Sequence, residues 1–204
     1  HVDTEEDARD ALEHGTAVLA HTPFAAPLTD EGLVAVGEAR TILTTISAFS
    51  AVGRLLDGTL DPGDPALGLT PAQVESWASV AANPGLLLPG WAAANAEWTE
   101  VVRGNVAALL ASGAPVLAGS DAGYLFVPHG TALHDELDEL VAAGLSPHEV
   151  LSMATAGARA ALEIEGGTLT PGAPADLLVL EEDPDVSVRA LRAPLWVVRA
   201  GTAY

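Results

Sequence analysis

Apolar positions along this chain keep two alternating rhythms as far as about residue 163. Short continuous runs such as Ala17-Val18-Leu19-Ala20 and the β-branched Thr41-Ile42-Leu43-Thr44-Thr45-Ile46 read as buried strands. Between them the spacing becomes helical. Thr4-Glu5-Glu6-Asp7 has the form of a capping box, with Ala8, Ala11 and Leu12 on one face and an end at His14-Gly15. A second helix is predicted from about Asp30 to Arg40. Residues 57 to 68, rich in Gly, Pro and Asp, read as a loop, after which Thr70-Pro71-Ala72-Gln73 sets cap, first-turn proline and third-position Gln in order. Trp91, Ala94, Trp98, Val101, Val102, Val106, Leu109 and Leu110 recur on a long helix that Gly113 would close. A further strand runs into Gly119-Ser120-Asp121. Leu133, Leu137, Leu140 and Val141 then mark a helix ended by Gly144, and Ser146-Pro147-His148-Glu149 caps another running to about Leu162.

Such alternation of strand and helix predicts an α/β fold built on parallel strands. From Gly166 the texture changes to turns and short strands at Gly167-Thr168-Leu169, Asp176 to Leu180 and Leu195 to Val198, so four or five strands of a small β appendage are expected. The predicted division is 1–163 and 164–204.

Composition narrows the function classes. With 204 residues, 49% of them hydrophobic, the chain can bury a core. A formal charge of −20 opposes nucleic acid and anionic membranes, whose affinity comes from clustered Lys and Arg; the acidic excess reads as a solvated surface. No cysteine is present, so any metal must be held by nitrogen and oxygen, and thiolate chemistry is excluded. Lysine is absent as well. No apolar run reaches a membrane span, and the opening residues carry no secretory leader pattern, although a chain opening on His1 is expected to be a fragment. A cytoplasmic location is the expectation, with homo-oligomerisation left open.

Candidate chemistry centres on Ala114-Pro115-Val116-Leu117-Ala118-Gly119-Ser120-Asp121-Ala122-Gly123, where an apolar strand runs into a small-residue turn presenting one carboxylate. His1 and His21 lie upstream at positions where a strand would be giving way to a turn or helix. The plainer alternative makes Asp121 a turn residue and His21 an ordinary strand-end histidine. His14 and His148 read as surface groups and His134 as a helix-opening residue, while Trp77, Trp91 and Trp98 read as packing residues. His129, in the loop after Asp121, is a candidate substrate contact.

Together these segments resemble the C-terminal part of the metal-dependent amidohydrolase superfamily, in particular its imidazolonepropionase-like and dipeptidase-like branch. His1 through Val18-Leu19-Ala20-His21 is similar to the segment linking the histidines of barrel strands five and six, and Ala118-Gly119-Ser120-Asp121-Ala122-Gly123 to the strand-eight motif. Glu136-Leu137 through Gly144-Leu145-Ser146-Pro147, with Ala154-Thr155, looks like the helices that follow. The run from Gly167 to Leu180 is similar to the family's closing β-sandwich signature.

The resemblance implies the second half of a (β/α)₈ TIM-like barrel followed by part of a β-sandwich. It implies His1, His21 and Asp121 as ligands of one or two divalent ions, most simply Zn²⁺, with Asp121 also the general base. A metal-activated water would then cleave a C–N bond in a small amide, peptide-like or cyclic amide substrate. Two family features are absent: the His-x-His pair of strand one and the strand-four lysine. The first half of the barrel is therefore expected from outside these residues, since half a barrel leaves sheet edges open. Deamination of a ring amine on the same scaffold, or a non-catalytic module completing a partner chain, remain the alternatives.

Overall fold

The computed structural model describes residues 1–204. Three short parallel strands, β1 (Val18–Ala20), β2 (Thr41–Leu43) and β3 (Val116–Leu117), pair in sequence order, with Leu19 opposite Ile42 and Ile42 opposite Val116. Helix α1 (Glu5–Glu13) precedes them, and α2 (Asp30–Gly37) joins β1 to β2. The link from β2 to β3 is much longer and carries α3 (Ile46–Asp57), α4 (Pro71–Ala82) and α5 (Trp91–Ser112). After β3 come α6 (Ala132–Ala142), α7 (Pro147–Ala154) and α8 (Ala156–Ala161). The capping boxes at Thr4, Thr70 and Ser146 form as the sequence predicts, each pairing a hydroxyl with the third helical residue.

Three local expectations are corrected. The predicted strand Thr41 to Ile46 stops at Leu43, and Ile46 begins α3, a helix that periodicity did not reveal. Its start is set from outside, because the Glu136 carboxylate of α6 accepts the amides of Thr45, Ile46 and Ser47 and so draws the chain out of the sheet. The helix expected to run to about Leu162 breaks at Thr155, which lies outside helical φ/ψ, into α7 and α8. In the appendage, Gly167 to Leu169 is not a strand. Gly166 and Gly167 both hold positive φ and pack on Arg159, leaving Leu169 exposed. Three strands rather than four or five remain: β4 (Leu177–Val179), β5 (Trp196–Arg199) and β6 (Thr202–Ala203), paired antiparallel.

Two hydrophobic cores form. The larger gathers Leu19, Ile42 and Val116 of the parallel sheet with Val102, Val106 and Leu109 of α5 and Leu137 and Leu140 of α6. Val188 and Leu191, from a 3₁₀ turn at Val188–Arg192, also enter it and tie the C-terminal segment to the helical layer. The smaller core joins Val52 and Leu55 of α3 to Leu60, Leu67, Trp77, Phe126 and Val127. No buried residue belongs to both. No helix is long and apolar enough to cross a membrane.

Candidate metal centre

Each parallel strand delivers a polar residue at its C-terminal end, which is where α/β sheets and barrels assemble their sites. His21 follows β1, Thr44 and Thr45 follow β2, and Asp121 lies four residues past β3. Three of these residues take left-handed backbone: His21 at φ 77°, Thr45 at φ 111° and Asp121 at φ 51°. Asp tolerates that region, whereas a β-branched threonine there is strained, and strain of this kind gathers at functional sites.

His21 is buried and its ring meets that of His1 edge-on, with centroids 4.4 Å apart. Its Nδ1 lies 2.7 Å from Thr45 Oγ1, so Nε2 is left as its free nitrogen. Burial pushes its pKa below the usual histidine value, partly opposed by the negative charges of Asp121 and Asp3. Burial therefore favours the neutral ring, the form in which an imidazole binds a metal. Asp121 is thus within electrostatic reach of His21. His1 is exposed, and its Nε2 sits 2.8 Å from Asp3 Oδ1. Tyr124 completes the group: burial raises its phenol pKa, and the charges of Asp121 and Asp3 push the same way.

Two imidazoles with a nearby carboxylate match in kind the donors that Zn²⁺ and similar ions take. As the side chains stand, no three His, Asp or Glu groups converge into an ion-binding cluster. His1 and Asp121 are both exposed and His21 is buried, so His21 is the fixed member, and His1 would have to exchange Asp3 for an ion to complete such a set.

His129 lies beside this group. Its ring packs on Gly123, where an added Cβ would fall 3.2 Å from Nε2, and it helps line a groove of about 390 Å³ with Leu67, Leu69, Trp77, Tyr124 and Phe126. Trp77 is a packing residue, as expected, and a wall of this groove as well. A larger cleft of about 580 Å³ contains none of His1, His21 or Asp121. Its arginines are already engaged: Asp135 bonds Arg54 at 2.7 Å and Arg192 at 2.8 Å, and Asp138 bonds Arg192 and Arg189. The smaller groove contains none of His1, His21 or Asp121 either, but it is lined by Gly123 and Tyr124, two and three residues beyond Asp121.

The remaining histidines behave as the sequence suggested or nearly so. His14 is exposed with Nδ1 2.8 Å from the Asp10 carbonyl, and His148 is exposed beside Asp185. His134 is half-buried, its pKa lowered by burial and then by Arg192. Sequence reasoning missed Asp3, Thr45 and Tyr124 around the site. The loop after His21 is held by another unforeseen residue, Asn105 of α5. Its amide donates to the carbonyls of Pro23 and Ala26 and accepts the Leu28 amide at 2.9 Å.

Comparison with known proteins bears on what this arrangement is. The sequence profile of the amidohydrolase family matches residues 89–200, more than half of the chain. Uncharacterized proteins of Mycobacterium tuberculosis and Mycobacterium bovis are 38% identical over 101 residues, which is 50% of this chain and 26% of each of theirs. Among solved structures, a prolidase-type protein from Bifidobacterium longum is 27% identical with a TM-score of 0.64 over 98% of this chain and 51% of its own. Bottromycin amidohydrolase is 25% identical with a TM-score of 0.64 over 98% and 52%. A Xaa-Pro dipeptidase, at 18% identity and a TM-score of 0.59, shares the fold over 99% of this chain and 49% of its own. The chain therefore spans about a quarter of the curated relatives it matches and about half of these structures. By the profile match and the folds it shares, the chain belongs to the amidohydrolase family.

Proposed function

We propose that these residues carry part of the active centre of a metal-dependent hydrolase that cleaves a C–N bond in an amide, peptide-like or cyclic amide substrate. The observation that carries this reading is the edge-on pair of His1 and His21 with the Asp121 charge acting on the buried ring. Family membership supports the reaction class, and neighbours named as a dipeptidase and an amidohydrolase support the bond type. In this reading β1, β2 and β3 are consecutive strands from the second half of a (β/α)₈ barrel completed outside residues 1–204. Residues 1–163 carry the barrel portion and 164–204 part of a β-sandwich.

His1, His21 and Asp121 would hold the divalent ion, most simply Zn²⁺. When bound, the ion supplies Lewis acidity, which lowers the pKa of water and polarises a carbonyl oxygen. The chain's own residues do the rest. Asp121, on an exposed turn, accepts a proton from the attacking water and passes it to the departing nitrogen. Burial favours the neutral form of the His21 ring, which leaves a nitrogen lone pair available. The groove of Tyr124, Trp77 and His129 takes the substrate's apolar group and orders it against the turn.

The test uses the natural full-length protein loaded with Zn²⁺ or Mn²⁺, assayed on a panel of dipeptides, N-acyl amino acids and cyclic amides. Amide cleavage that is lost on chelation and restored by metal is the expected result, with Asp121→Asn lowering kcat at least about 100-fold. Asp121→Asn with wild-type turnover, or a protein inert with metal present, overturns the reading. Ammonia release from a ring amine alone would move the activity to deamination.

A further inference from the structure

The mechanism above leaves unused the most deeply buried charged side chain in the molecule. Glu136, on α6, has no solvent exposure. Its Oε1 accepts from the Thr44 hydroxyl and from the amides of Thr45 at 2.9 Å and Ile46 at 3.1 Å, and its Oε2 accepts from the Ser47 amide at 2.7 Å. These groups are the first turn of α3, whose N-cap, Thr45, makes no capping bond with its own side chain. A residue about 90 positions away therefore does the capping, which leaves the Thr45 hydroxyl free for another partner.

That partner is His21 Nδ1, at 2.7 Å. Thr45 is fixed on its other side as well. A Cβ added at Gly119, at the end of β3, would lie 3.5 Å from the Thr45 methyl and 3.3 Å from Leu43 Cβ, so the adjoining strand end closes against that methyl. With the backbone anchored by Glu136 and the methyl against Gly119, the hydroxyl has one direction left. The hydroxyl forms no other bond, and it accepts from the ring when the imidazole carries its proton on Nδ1.

We infer that Thr45 is a positioning residue for His21: its hydroxyl accepts a hydrogen bond from Nδ1–H, fixing the ring orientation and leaving the lone pair on Nε2, on the side of His1 and Asp121. Partners of this kind set the tautomer of ligating histidines and raise their basicity. This explains why a β-branched residue is held at φ 111°, a conformation it otherwise avoids. The inference rests on the proposed metal centre for its purpose, but the tautomer itself can be read without metal.

The experiment is a long-range ¹H–¹⁵N correlation spectrum of the metal-free full-length protein at about pH 8, where neutral imidazole predominates, with His21→Gln assigning the ring. The expected wild-type spectrum shows the Nδ1–H tautomer at His21; the Nε2–H tautomer overturns the inference with no variant needed. Thr45→Val, nearly isosteric but unable to accept, is expected to lose that tautomer, and Thr45→Ser to keep it. A folded Thr45→Val that retains the Nδ1–H form also overturns it. In a parallel Co²⁺ titration read by visible absorption, Thr45→Val should weaken binding by about 10–100-fold and Thr45→Ser should not. Wild-type protein that shows the expected tautomer but takes up no Co²⁺ overturns the metal reading and leaves the positioning role supported.

Discussion

Phe126 and Trp77 meet edge-to-face with ring centroids 5.5 Å apart, fastening the loop that follows Asp121 to helix α4. Phe126 is buried and sits at φ 64°, where a bulky residue is strained, so packing holds a conformation that the backbone alone would not keep. The Gly123 amide bonds the Val127 carbonyl at 3.0 Å across the same turn. Trp77→Ala is expected to cost about 3–5 kcal/mol of stability, as large-to-small changes of buried aromatics do. Hydrogen exchange of residues 122–130 should accelerate strongly while amides of β1 and β2 keep their protection. Uniform acceleration across the chain would show that the two cores are not separable.

Leu140 lies fully buried in the larger core among residues of α5, α6 and the parallel sheet. Leu140→Ala should lower unfolding free energy by about 2–5 kcal/mol, since the removed methyl groups leave a cavity that surrounding helices fill only in part. Urea unfolding monitored by tryptophan fluorescence gives the number. A loss under about 1 kcal/mol would mean that α6 can shift to fill the space.

Asp135 accepts from Arg54 of α3 and from Arg192 of the C-terminal 3₁₀ turn, joining three parts of the chain through one carboxylate. Its side chain is 9% exposed, whereas the two arginines keep 27% and 35% exposure, so water screens part of what they lose. Asp135→Ala should therefore cost about 1–3 kcal/mol, below the figure for a fully buried pair. Asp138→Ala, whose carboxylate is 27% exposed, should cost less. The order of the two variants in thermal melting is the check.

Several carboxylates ionise more readily in the folded chain than in the unfolded one. The Thr29 amide and Arg9 lower Glu5, the Thr4 hydroxyl and amide lower Asp7, the Ser146 hydroxyl and amide lower Glu149, and the Ala200 amide and Arg159 lower Asp176. A depressed folded pKa means that the unfolded chain binds more protons in this range, so stability rises with pH. The contribution is complete above the ordinary values of 3.8 and 4.5 and is lost as pH falls through the lower folded values. Glu136 works in the opposite direction, because burial raises its pKa. Stability should therefore climb with pH up to about the ordinary values of 3.8 and 4.5, with Glu136 opposing any further rise, and Asp176→Asn should flatten the curve at its acid end. An unchanged acid limb in that variant would remove Asp176 from the account.

Much of this arrangement was legible in the sequence where local chemistry decides it. Thr4, Thr70 and Ser146 cap their helices from three residues away, and Gly113 ends α5 at φ 80°, because capping depends only on neighbours. His21, Asp121 and His129 were nameable because each stands at a strand end or in the loop beyond one. What stayed hidden depends on distant partners. Nothing in Ile46-Ser47-Ala48-Phe49 tells the chain to become helix at that point, since the cap comes from Glu136. Thr45 resembles any strand threonine until His21, Gly119 and Glu136 surround it, and Asp3 shows no role until folding brings it near His1 and Tyr124. The Gly167 to Leu169 strand failed for a related reason: its apolar side chain finds no surface to cover.

Because the core around Trp77 shares no buried residue with the one beneath β1, β2 and β3, residues 58–90 can diverge without disturbing the strand ends that carry His21 and Asp121. Selection for a new substrate can therefore act on the segment facing the groove while the reactive framework stays constant. A chimera that exchanges only this segment between family members should carry the donor's preference and retain the recipient's chemistry.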